Sequence, residues 1–472
     1  MECFVTHLKD IEGRIDPHYY RPSFLRYAEQ LNQKSTVRIS DIANVVCGPF
    51  GSTITLKDYS NEGVPLIRIS NIREDSLVHD DLVFINNEKA AELDSYKVKE
   101  NDLVISQRGT LGLAAKVDSK FDGAIISANF IAIKAIKELN PDYLKTFLSS
   151  DLGKRQLTRQ TSGQVQTKLT TDDIKRIRIP VIPLNSQIKV ANLMQCTYQL
   201  KKQKEAEAQT LLDSIDEYVL GELGIVASQG DNRTCFVVWA KELKGKRIDP
   251  KAYTSKPKAI LESIGKSKYP IRTVKELVAE QIAGYWGKDP ALTENSENHI
   301  LCNVIRNTDF DNNYNLDLED VAQRLIPVES YERIKLRAGD ILLEKSGGSP
   351  AQPVGRVALI TKEHEGYAFS NFVQLLRIHK NECLPEYLFT YLRTIYRAGY
   401  MEYIQNQTTG IRNLILQEFM SIPVPTPLDF SIQDKIASEA LRRVQKAKNL
   451  WQEANDSVDK AKAEVERLIL SK

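Results

Sequence analysis

Short apolar runs bounded by polar turn residues recur along most of the chain. Runs of this kind, rich in Val and Ile, are typical of buried strands. They are "VPLIRIS" (64–70), "DLVIS" (102–106), "AIISANFIAIKA" (124–135), "HILCNVI" (299–305), "DILLE" (340–344) and "RVALI" (356–360). Helical segments lie between some of these runs. The pattern therefore predicts two strand-rich halves of the α+β class.

Two long stretches with helical periodicity follow Pro-rich segments. The first runs from Gln187 to about Leu220, and its apolar stripe is Leu193, Leu200, Leu211, Ile215 and Val219. In the second, apolar residues alternate spacings of three and four, as in a coiled-coil seam: Val444, Ala447, Trp451, Ala454, Val458, Ala461, Val465 and Leu468. Because two such seams can cover each other, we expect an antiparallel pair of helices. A helix of about 34 residues would be roughly 50 Å long and could act as a spacer.

The two halves of the chain repeat each other in order. "GRIDPHYY" (13–20) answers "KRIDPKAY" (246–253), and "YKVKENDLVISQRGTLG" (96–112) answers "IKLRAGDILLEKSGG" (334–348). Three later pairs keep the order: "SANFIAIKA" with "SNFVQLLRI", "NPDYLKTFL" with "LPEYLFTYL", and "TSGQVQTKL" with "TTGIRNLIL". The repeat predicts one scaffold present twice. "RIDP" marks the entry to each copy, and we expect Arg14 and Arg247 to be structural.

The repeat sets the predicted domain boundaries. We expect a first globular domain over residues 1–183, a first spacer helix over 184–225 and a linker over 226–235. A second globular domain would cover 236–427 and a second spacer helix 428–472. The fold class is thus α+β, with two similar domains joined by two long antiparallel coiled-coil helices through internal duplication.

Composition and charge narrow the class of protein. The chain has 472 residues, a hydrophobic fraction of 42% and a charged fraction of 27%, as in globular proteins. No apolar run approaches the roughly 20 residues that span a bilayer, and the first residues do not resemble a secretory signal, so we expect a cytoplasmic protein. The net charge of +2 allows local basic patches without predicting a strongly basic coat. Six scattered cysteines, without metal-ligand spacing, predict reduced thiols.

No catalytic constellation is recognisable in the sequence. The chain has no Pro-Pro dipeptide with which an amino-methyltransferase pocket could be built, and no phosphate-binding loop, GxSxG or HExxH motif. Asp340, Glu344 and Lys345 lie close together and suggest a nuclease. However, neighbouring residues of a strand point to opposite faces, and the first half has Ser106 and Gln107 at the last two positions. We therefore expect a non-catalytic chain without a metal or cofactor of its own.

Polar turns that recur in both halves carry the residue types that contact nucleic acid. Arg and Lys bind phosphate and guanine, Asn and Gln bind adenine, and Ser and Thr bind either. The predicted DNA-binding residues of the first half are Lys57, Arg68, Ser70, Asn71, Arg73, Gln107, Arg108, Thr110, Gln164, Gln166 and Lys168. Those of the second half are Tyr285, Trp286, Lys288, Arg306, Asn307, Lys345, Ser346, Arg412 and Asn413. Because residue identity changes between the halves at equivalent turns, we expect two readers of different targets.

Taken in this order and twice, the motifs resemble the specificity (S) subunits of type I restriction-modification systems over the whole chain. The resemblance implies two target recognition domains, each reading one half of a bipartite, asymmetric site in double-stranded DNA. It also implies partners: two methyltransferase subunits, which use S-adenosylmethionine to methylate adenine, and two restriction subunits, which use ATP and Mg. The second half departs from the motif, since "GVPLIRISNI" (63–72) becomes "ENHILCNVIRNTDF" (297–310).

Two other classes of function remain open at this point. A stand-alone modification enzyme is disfavoured by the missing methylation motifs, and a methyl-transfer assay on the isolated chain would decide it. A coiled-coil adaptor that does not read DNA is disfavoured by the two large, divergent domains.

Overall fold

The structure is a computed structural model that describes residues 17–160, 168–226, 237–239, 250–292, 297–311, 315–349, 352–408 and 410–471. The chain divides into two compact units. Unit 1 combines residues 1–204 with residues 451–472, and unit 2 comprises residues 205–450. Arg14, Arg247 and most of the predicted linker lie outside the described residues. No helix among the described residues is long and apolar enough to cross a membrane.

Unit 1 alternates short strands with short helices. Its strands are β1 (Thr36–Arg38), β2 (Asn44–Cys47), β3 (Tyr59–Ser60), β4 (Val64–Ile67), β5 (Val83–Ile85), β6 (Leu103–Ser106), β7 (Ala114–Lys116), β8 (Ile125–Ile126), β9 (Phe130–Lys134) and β10 (Arg178–Pro180). Its helices are α1 (Pro22–Asn32), α2 (Ile39–Ile42), α3 (Asn87–Glu92), α4 (Pro141–Ser149), α5 (Asp151–Gln160) and α6 (Thr171–Lys175). The long helix α7 (Leu184–Glu222) begins in unit 1 and continues into unit 2.

Unit 2 follows the same succession. Its strands are β11 (Ile271–Thr273), β12 (Val278–Ala283), β13 (His299–Ile305), β14 (Ala322–Pro327), β15 (Ile341–Glu344), β16 (Ser346–Gly347), β17 (Val357–Leu359), β18 (Ala368–Phe369), β19 (Val373–Ile378), β20 (Gln405–Thr408), β21 (Ile411–Leu414) and β22 (Pro423–Pro425). Its helices are α8 (Ser255–Gly265), α9 (Val274–Leu277), α10 (Val328–Ile334), α11 (Pro385–Arg397) and α12 (Leu416–Met420). The last helix, α13 (Phe430–Leu470), begins in unit 2 and ends in unit 1.

The sheets confirm the internal duplication. Unit 1 has an antiparallel sheet in the order β2-β9-β6-β7, and unit 2 has the equivalent sheet β12-β19-β15-β17. A second sheet of unit 1 has the order β3-β5-β4-β8, and its strands β5-β4-β8 correspond to the sheet β14-β13-β18 of unit 2. The last pair is parallel in both units. The pair β1-β10 corresponds to β11-β22. The strands predicted from the apolar runs therefore form, in two copies, the core sheets of an α+β fold.

Buried glutamines repeat the same hydrogen bonds at the start of both long helices. In unit 1, Asn140 N donates to Gln187 Oε1 at 2.9 Å, and Gln187 Nε2 donates to the Ile182 carbonyl at 2.9 Å. In unit 2, Gln433 Oε1 accepts from Leu384 N and its Nε2 donates to the Pro427 carbonyl, each at 2.8 Å. A buried side-chain amide needs hydrogen-bond partners for both its oxygen and its NH2 group. Each glutamine therefore connects its long helix to the loop that precedes α4 or α11.

Within each unit the two long helices run antiparallel. In unit 2, the α7 residues Glu207 and Ser214 pair with Lys446 and Arg443 of α13, and Glu222 pairs with Lys435, so numbers rise on one helix as they fall on the other. In unit 1, Lys204 of α7 forms an ion pair with Glu453 of α13. The predicted antiparallel pairing is thus present in both units.

The apolar seam of α13 is confirmed at six of its eight predicted positions, because Trp451 and Leu468 are only half-buried and Ile469 is fully buried beside Leu468. The seam predicted for α7 was partly wrong. Val444, Ala447, Ala454, Val458, Ala461 and Val465 are all buried. On α7, Ile215 and Val219 are buried, but Leu200 is 42% exposed, and the inward positions are taken instead by residues including Met194, Tyr198 and Leu212. The buried positions of α7 therefore lie about one residue away from the predicted leucines. Tyr198 was not predicted to be among them because its hydroxyl makes it look polar in a sequence, although its ring faces the core.

The core of unit 1 includes the end of the chain. Val458, Ala461, Val465 and Ile469 of α13 pack with strands β6 and β9 and with Tyr143 and Phe147 of α4. Lys34 Nζ also donates to the Ser471 carbonyl at 2.7 Å. The last helical turns thus complete the first globular unit rather than projecting from it.

Candidate nucleic-acid interface

Several loops of unit 1 meet at one end of the sheet β2-β9-β6-β7. Cys47, the last residue of β2, pairs with Ile131, and Ser106, the last residue of β6, pairs with Phe130. The segment after β2 and the turn after β6 therefore leave the sheet at the end where β9 begins. Two backbone bonds hold them there, from Gly48 N to the Phe130 carbonyl and from Gln107 N to the Asn129 carbonyl, both 2.9 Å.

Two further segments join this end of the sheet. Ser127 N donates to the Ile67 carbonyl at 3.0 Å, so the turn after β4 lies next to the loop before β9. Leu169 N donates to the Gln107 carbonyl at 3.2 Å, so the segment before α6 lies next to the turn after β6. We call residues 48–58, 68–73, 107–112, 127–129 and 168–169 together the first rim. It contains every predicted DNA-binding residue of the first half that the structure describes.

Unit 2 builds an equivalent second rim, made of residues 284–289, 306–309, 345–349, 370–372 and 410–414. Its framework repeats the same backbone bonds: Gly284 N to the Val373 carbonyl (3.4 Å), Lys345 N to the Phe372 carbonyl (2.9 Å), Ser370 N to the Ile305 carbonyl (2.9 Å) and Leu414 N to the Lys345 carbonyl (2.8 Å). The duplicated scaffold thus presents the same set of loops twice.

The predicted residues differ widely in how far they reach solvent. Lys57, Ser70, Arg73, Arg108, Thr110, Lys168, Tyr285 and Lys288 are exposed. Two residues, Asn71 and Gln107, are buried. The other described residues are half-buried, namely Arg68, Trp286, Arg306, Asn307, Lys345, Ser346, Arg412 and Asn413. Gln164 and Gln166 lie outside the described residues.

Asn71 and Gln107 are framework groups, which corrects the prediction that they contact DNA. Asn71 Oδ1 accepts from Arg68 N at 3.0 Å, and its Nδ2 donates to the Val78 and Asp80 carbonyls at 3.2 and 2.9 Å. Gln107 Nε2 donates to the Ala128 carbonyl and lies 3.4 Å from Cys47 Sγ. An amide whose bonds are used inside the protein cannot also read adenine.

Arg68 and Arg306 occupy equivalent positions and fasten the same turn. Arg68 Nη2 donates to the Asp81 carbonyl at 2.5 Å, and Arg306 Nη2 donates to the Asp320 carbonyl at 3.0 Å. Arg306 also forms an ion pair with the buried Asp309 at 2.8 Å, the position that Asn71 occupies in unit 1. Each arginine therefore uses a guanidinium donor to fix the turn of its own rim.

Most half-buried residues of the second rim are held by neighbours. Arg324 stacks on the Trp286 ring, with its guanidinium carbon 4.4 Å from the ring centre. Ser346 Oγ donates to Asn413 Oδ1 at 2.7 Å, in register with the strand pairing of β16 and β21. Burial lowers the pKa of Lys345, which stands where unit 1 has Gln107. This exchange gives the second rim a cation at a position where the first rim has a neutral amide.

The carboxylates that suggested a nuclease are occupied by arginines. Glu344 is fully buried and accepts both bonds of a fork from Arg356, from Nε and Nη2 at 2.9 Å each. Asp340 is held in the same way by Arg377, again at 2.9 Å. Because their oxygens are already bonded to arginines, these carboxylates are not open ligands for a metal ion.

Metal and thiol chemistry is not evident in the part of the chain that the structure describes. Within it, no group of three or more His, Cys, Asp or Glu side chains is placed to hold a metal ion. Cys47, Cys196, Cys302 and Cys383 are free thiols, and burial raises the pKa of Cys302 to about 11 and that of Cys383 to about 12. Thiols with raised pKa values are poor nucleophiles and metal ligands at neutral pH.

Phe50, on the first rim, is a residue that the sequence reasoning did not select. Its side chain is 86% exposed, and that of Leu56 on the same segment is 89% exposed. A signal was available in the sequence, because "GPFG" (48–51) and "GYWG" (284–287) begin at the equivalent residues Gly48 and Gly284.

The comparisons with known proteins agree with the duplicated fold. The model of the type I restriction modification DNA specificity domain matches this chain twice, at residues 32–210 and 279–455, which together exceed half of the sequence. The chain therefore belongs to the type I restriction-modification DNA specificity family. Members of this family recognise DNA sequence. No curated protein matches the sequence.

Three solved structures align along almost the whole chain at low identity. The type I restriction-modification S subunit from M. genitalium is 13% identical, with 92% of this chain and 95% of that chain covered and a TM-score of 0.44. The HsdS subunit from Thermoanaerobacter tengcongensis is 16% identical, with 92% and 95% covered and a TM-score of 0.38. A chain from a study of type I restriction-modification complex assembly is 16% identical, with 92% and 96% covered and a TM-score of 0.49.

Proposed function

We propose that this chain is the specificity subunit of a type I restriction-modification complex and that each unit reads one part of a bipartite, asymmetric DNA site. The observation that supports the proposal most directly is that both units contain an equivalent rim. The backbone bonds of the two rims coincide, while exposed side chains differ, for example Arg108 on the first rim and Lys288 on the second. One scaffold with two sets of exposed groups suits two different half-sites.

The exposed groups support a role in DNA contact. Lys57, Arg73, Arg108 and Lys168 give the first rim four exposed cations for phosphates or guanine, and Ser70 and Thr110 add hydroxyls. On the second rim, Lys288 and the partly desolvated Lys345 supply cations, Tyr285 an exposed ring, and Arg412 and Asn307 half-buried polar groups. Asn71 and Gln107 are left out of this contact set because they are buried.

The proposal assigns the chemistry to partners. We expect two methyltransferase subunits, which bind S-adenosylmethionine and methylate adenine, and two restriction subunits, which bind ATP and Mg. This chain would carry none of these cofactors, would scaffold the partner subunits and would act on DNA in the cytoplasm without catalysing a reaction itself. The occupied carboxylates Asp340 and Glu344 support this assignment.

Reconstitution tests the proposal. The isolated chain should neither methylate nor cleave DNA, whereas its complex with the cognate methyltransferase should methylate adenine within a two-part sequence. Transfer of labelled methyl groups from S-adenosylmethionine by the chain alone would favour a modification enzyme instead. If the complex bound a random pool of duplexes without enriching any sequence, the chain would be a coiled-coil adaptor.

A further inference from the structure

Each rim carries a turn in which glycines flank an aromatic residue. These turns are Gly48-Pro49-Phe50-Gly51 and Gly284-Tyr285-Trp286-Gly287. A Cβ atom added to Gly48 would lie 2.1 Å from the Ser127 carbonyl oxygen, and one added to Gly284 would lie 2.1 Å from the Ser370 carbonyl oxygen. Only glycine fits at such distances, so both turns are pressed against the loop that enters β9 or β19.

The two turns place their aromatic residues differently. Trp286 packs on the core of unit 2 and beneath Arg324. Phe50 has no such cover in unit 1 and is 86% exposed. Burying a phenylalanine side chain contributes about 1.5–3 kcal/mol, so the free protein forgoes this stabilisation at position 50.

The segment that carries Phe50 is ordered by its own hydrogen bonds. Thr53 N donates to the Phe50 carbonyl at 2.8 Å, which closes one turn. Asp58 Oδ2 accepts from Thr55 N at 2.6 Å and from Thr55 Oγ1 at 2.9 Å, which closes a second turn. Asn86 N then donates to the Asp58 carbonyl at 3.0 Å and fixes the segment to β5. The exposed ring of Phe50 therefore lies on a turn that hydrogen bonds hold in place.

Exposed cations lie on the same rim as Phe50. Lys57, Arg108 and Lys168 are exposed there, and Asp58, the acidic side chain of the segment, is occupied by Thr55. Phe50 and Leu56 are the two large apolar side chains exposed on this rim. Two apolar side chains among cations suit a polyanion whose interior is aromatic better than they suit an apolar protein surface, because protein interfaces bury a larger contiguous apolar core. Stacked base pairs between two phosphate backbones have this chemistry.

We propose that Phe50 inserts between two adjacent base pairs of the half-site that the first rim reads. Apolar wedges of this kind partly unstack one base step and kink the duplex by about 20–90°. The cations of the rim would hold the phosphates on either side of the kink. The half-site would then be selected partly by how easily that step unstacks, in addition to direct contacts with base edges. This inference rests on the function proposed above.

The test uses the complex with its methyltransferase and duplexes in which 2-aminopurine replaces one base of the first half-site at a time. The methylated adenine is omitted, because methyltransferases extrude their target base and would brighten the probe for another reason. We expect fluorescence at one further step to rise on binding. Phe50→Ala should abolish the rise and weaken binding about tenfold, whereas Phe50→Leu should keep most of both.

Two controls separate insertion from other effects. The dependence of affinity on salt should be the same for Phe50→Ala as for the wild type, since the ring neutralises no phosphate. Leu200→Ala, which removes an exposed leucine outside the rim, should change neither the fluorescence nor the affinity. Because Phe50 is exposed, its variants should unfold at the wild-type temperature.

The remaining outcomes would contradict the insertion of Phe50 between base pairs. A wild-type complex that methylates its two-part site but shows no fluorescence rise beyond the target adenine would refute insertion and leave the proposed function intact. If Phe50→Ala weakened assembly with the methyltransferase while DNA binding by the assembled complex stayed unchanged, the ring would be a protein contact. A wild-type complex that selects no DNA sequence would instead contradict the proposed function itself.

Discussion

Asn71 and Asp309 show how one position of the duplicated scaffold serves the same purpose with different chemistry. Both accept a hydrogen bond from the backbone N–H three residues earlier, at 3.0 Å in unit 1 and 2.8 Å in unit 2. Asn71 then donates to two carbonyls, whereas Asp309 pairs with Arg306. Each buried side chain thus shapes the turn on which exposed residues of its rim lie.

Asn71→Ala should destabilise unit 1 without changing the base sequence that it reads. The substitution leaves the part-buried Val78 and Asp80 carbonyls and the Arg68 N–H without their side-chain partner, which costs about 1–3 kcal/mol. Urea unfolding measures this loss, and sequencing of the methylated sites should return the wild-type motif from the folded fraction. Ser70→Ala, on the exposed neighbour, should change stability by less than about 0.5 kcal/mol. A relaxed motif with unchanged stability would restore Asn71 as a base-contacting residue.

The sequence predicted which loops form the rims but not which of their side chains face solvent. Arg, Asn and Gln in a polar turn look alike in a sequence whether they contact a ligand or the protein's own backbone. Gln107 is buried because its turn folds back over Ala128, a contact 21 residues away. Such a contact depends on the register of the whole sheet, which local pattern does not contain.

At the scale of elements, both long helices contribute side chains to the core of unit 1. Ile469 is fully buried in unit 1, although it lies near the end of a helix that begins in unit 2. Ile469→Ala should therefore destabilise unit 1 by about 2–5 kcal/mol, measured by thermal unfolding and by faster proteolysis of unit 1. Leu200→Ala, at a 42% exposed position of α7, is the matched control and should have little effect. Equal losses from both variants would contradict the assignment of the last turns to the core.

Lengthening both helices tests their proposed role as a spacer. A seven-residue insertion near Ala208 and another near Ala454 would keep the apolar rows in phase and add about 10 Å, or about three base pairs at 3.4 Å each. We expect the two recognised half-sites to persist while the unspecified gap between them grows. Four-residue insertions should impair activity more, because they introduce a stutter. An active complex with an unchanged gap would show that the partner subunits set the distance.

The two seams show where helix periodicity is informative. In α13 the inward positions are mostly Ala and Val at strict spacings, so the pattern identified them. In α7 the inward row includes Tyr198 and passes a stretch rich in Lys and Glu (201–207), where the apolar signal fades. The inward row of α7 combines Leu212 with Met194 and Tyr198, so the spacing of the predicted leucines did not identify it.

At the scale of the whole molecule, duplication accounts for the order of the sequence motifs. Among the described residues, three pairs of repeated phrases map onto equivalent elements, namely β6 and β15, β9 and β19, and α4 and α11. The repeated glutamines Gln187 and Gln433 also make equivalent bonds. The fold could be predicted because both copies preserve the apolar runs. The specific half-sites could not, because the exposed rim residues are where the copies differ.

If the proposed function is correct, two separate rims read two separate half-sites. Methylation-aware sequencing of DNA from a strain that expresses this chain with its methyltransferase tests it directly, comparing the wild type with Arg108→Ala and Lys288→Ala. We expect a two-part motif, with Arg108→Ala weakening or relaxing only one part and Lys288→Ala only the other, at a cost of about 1–3 kcal/mol for each lost base contact. A single contiguous motif, or relaxation of both parts by one substitution, would contradict it.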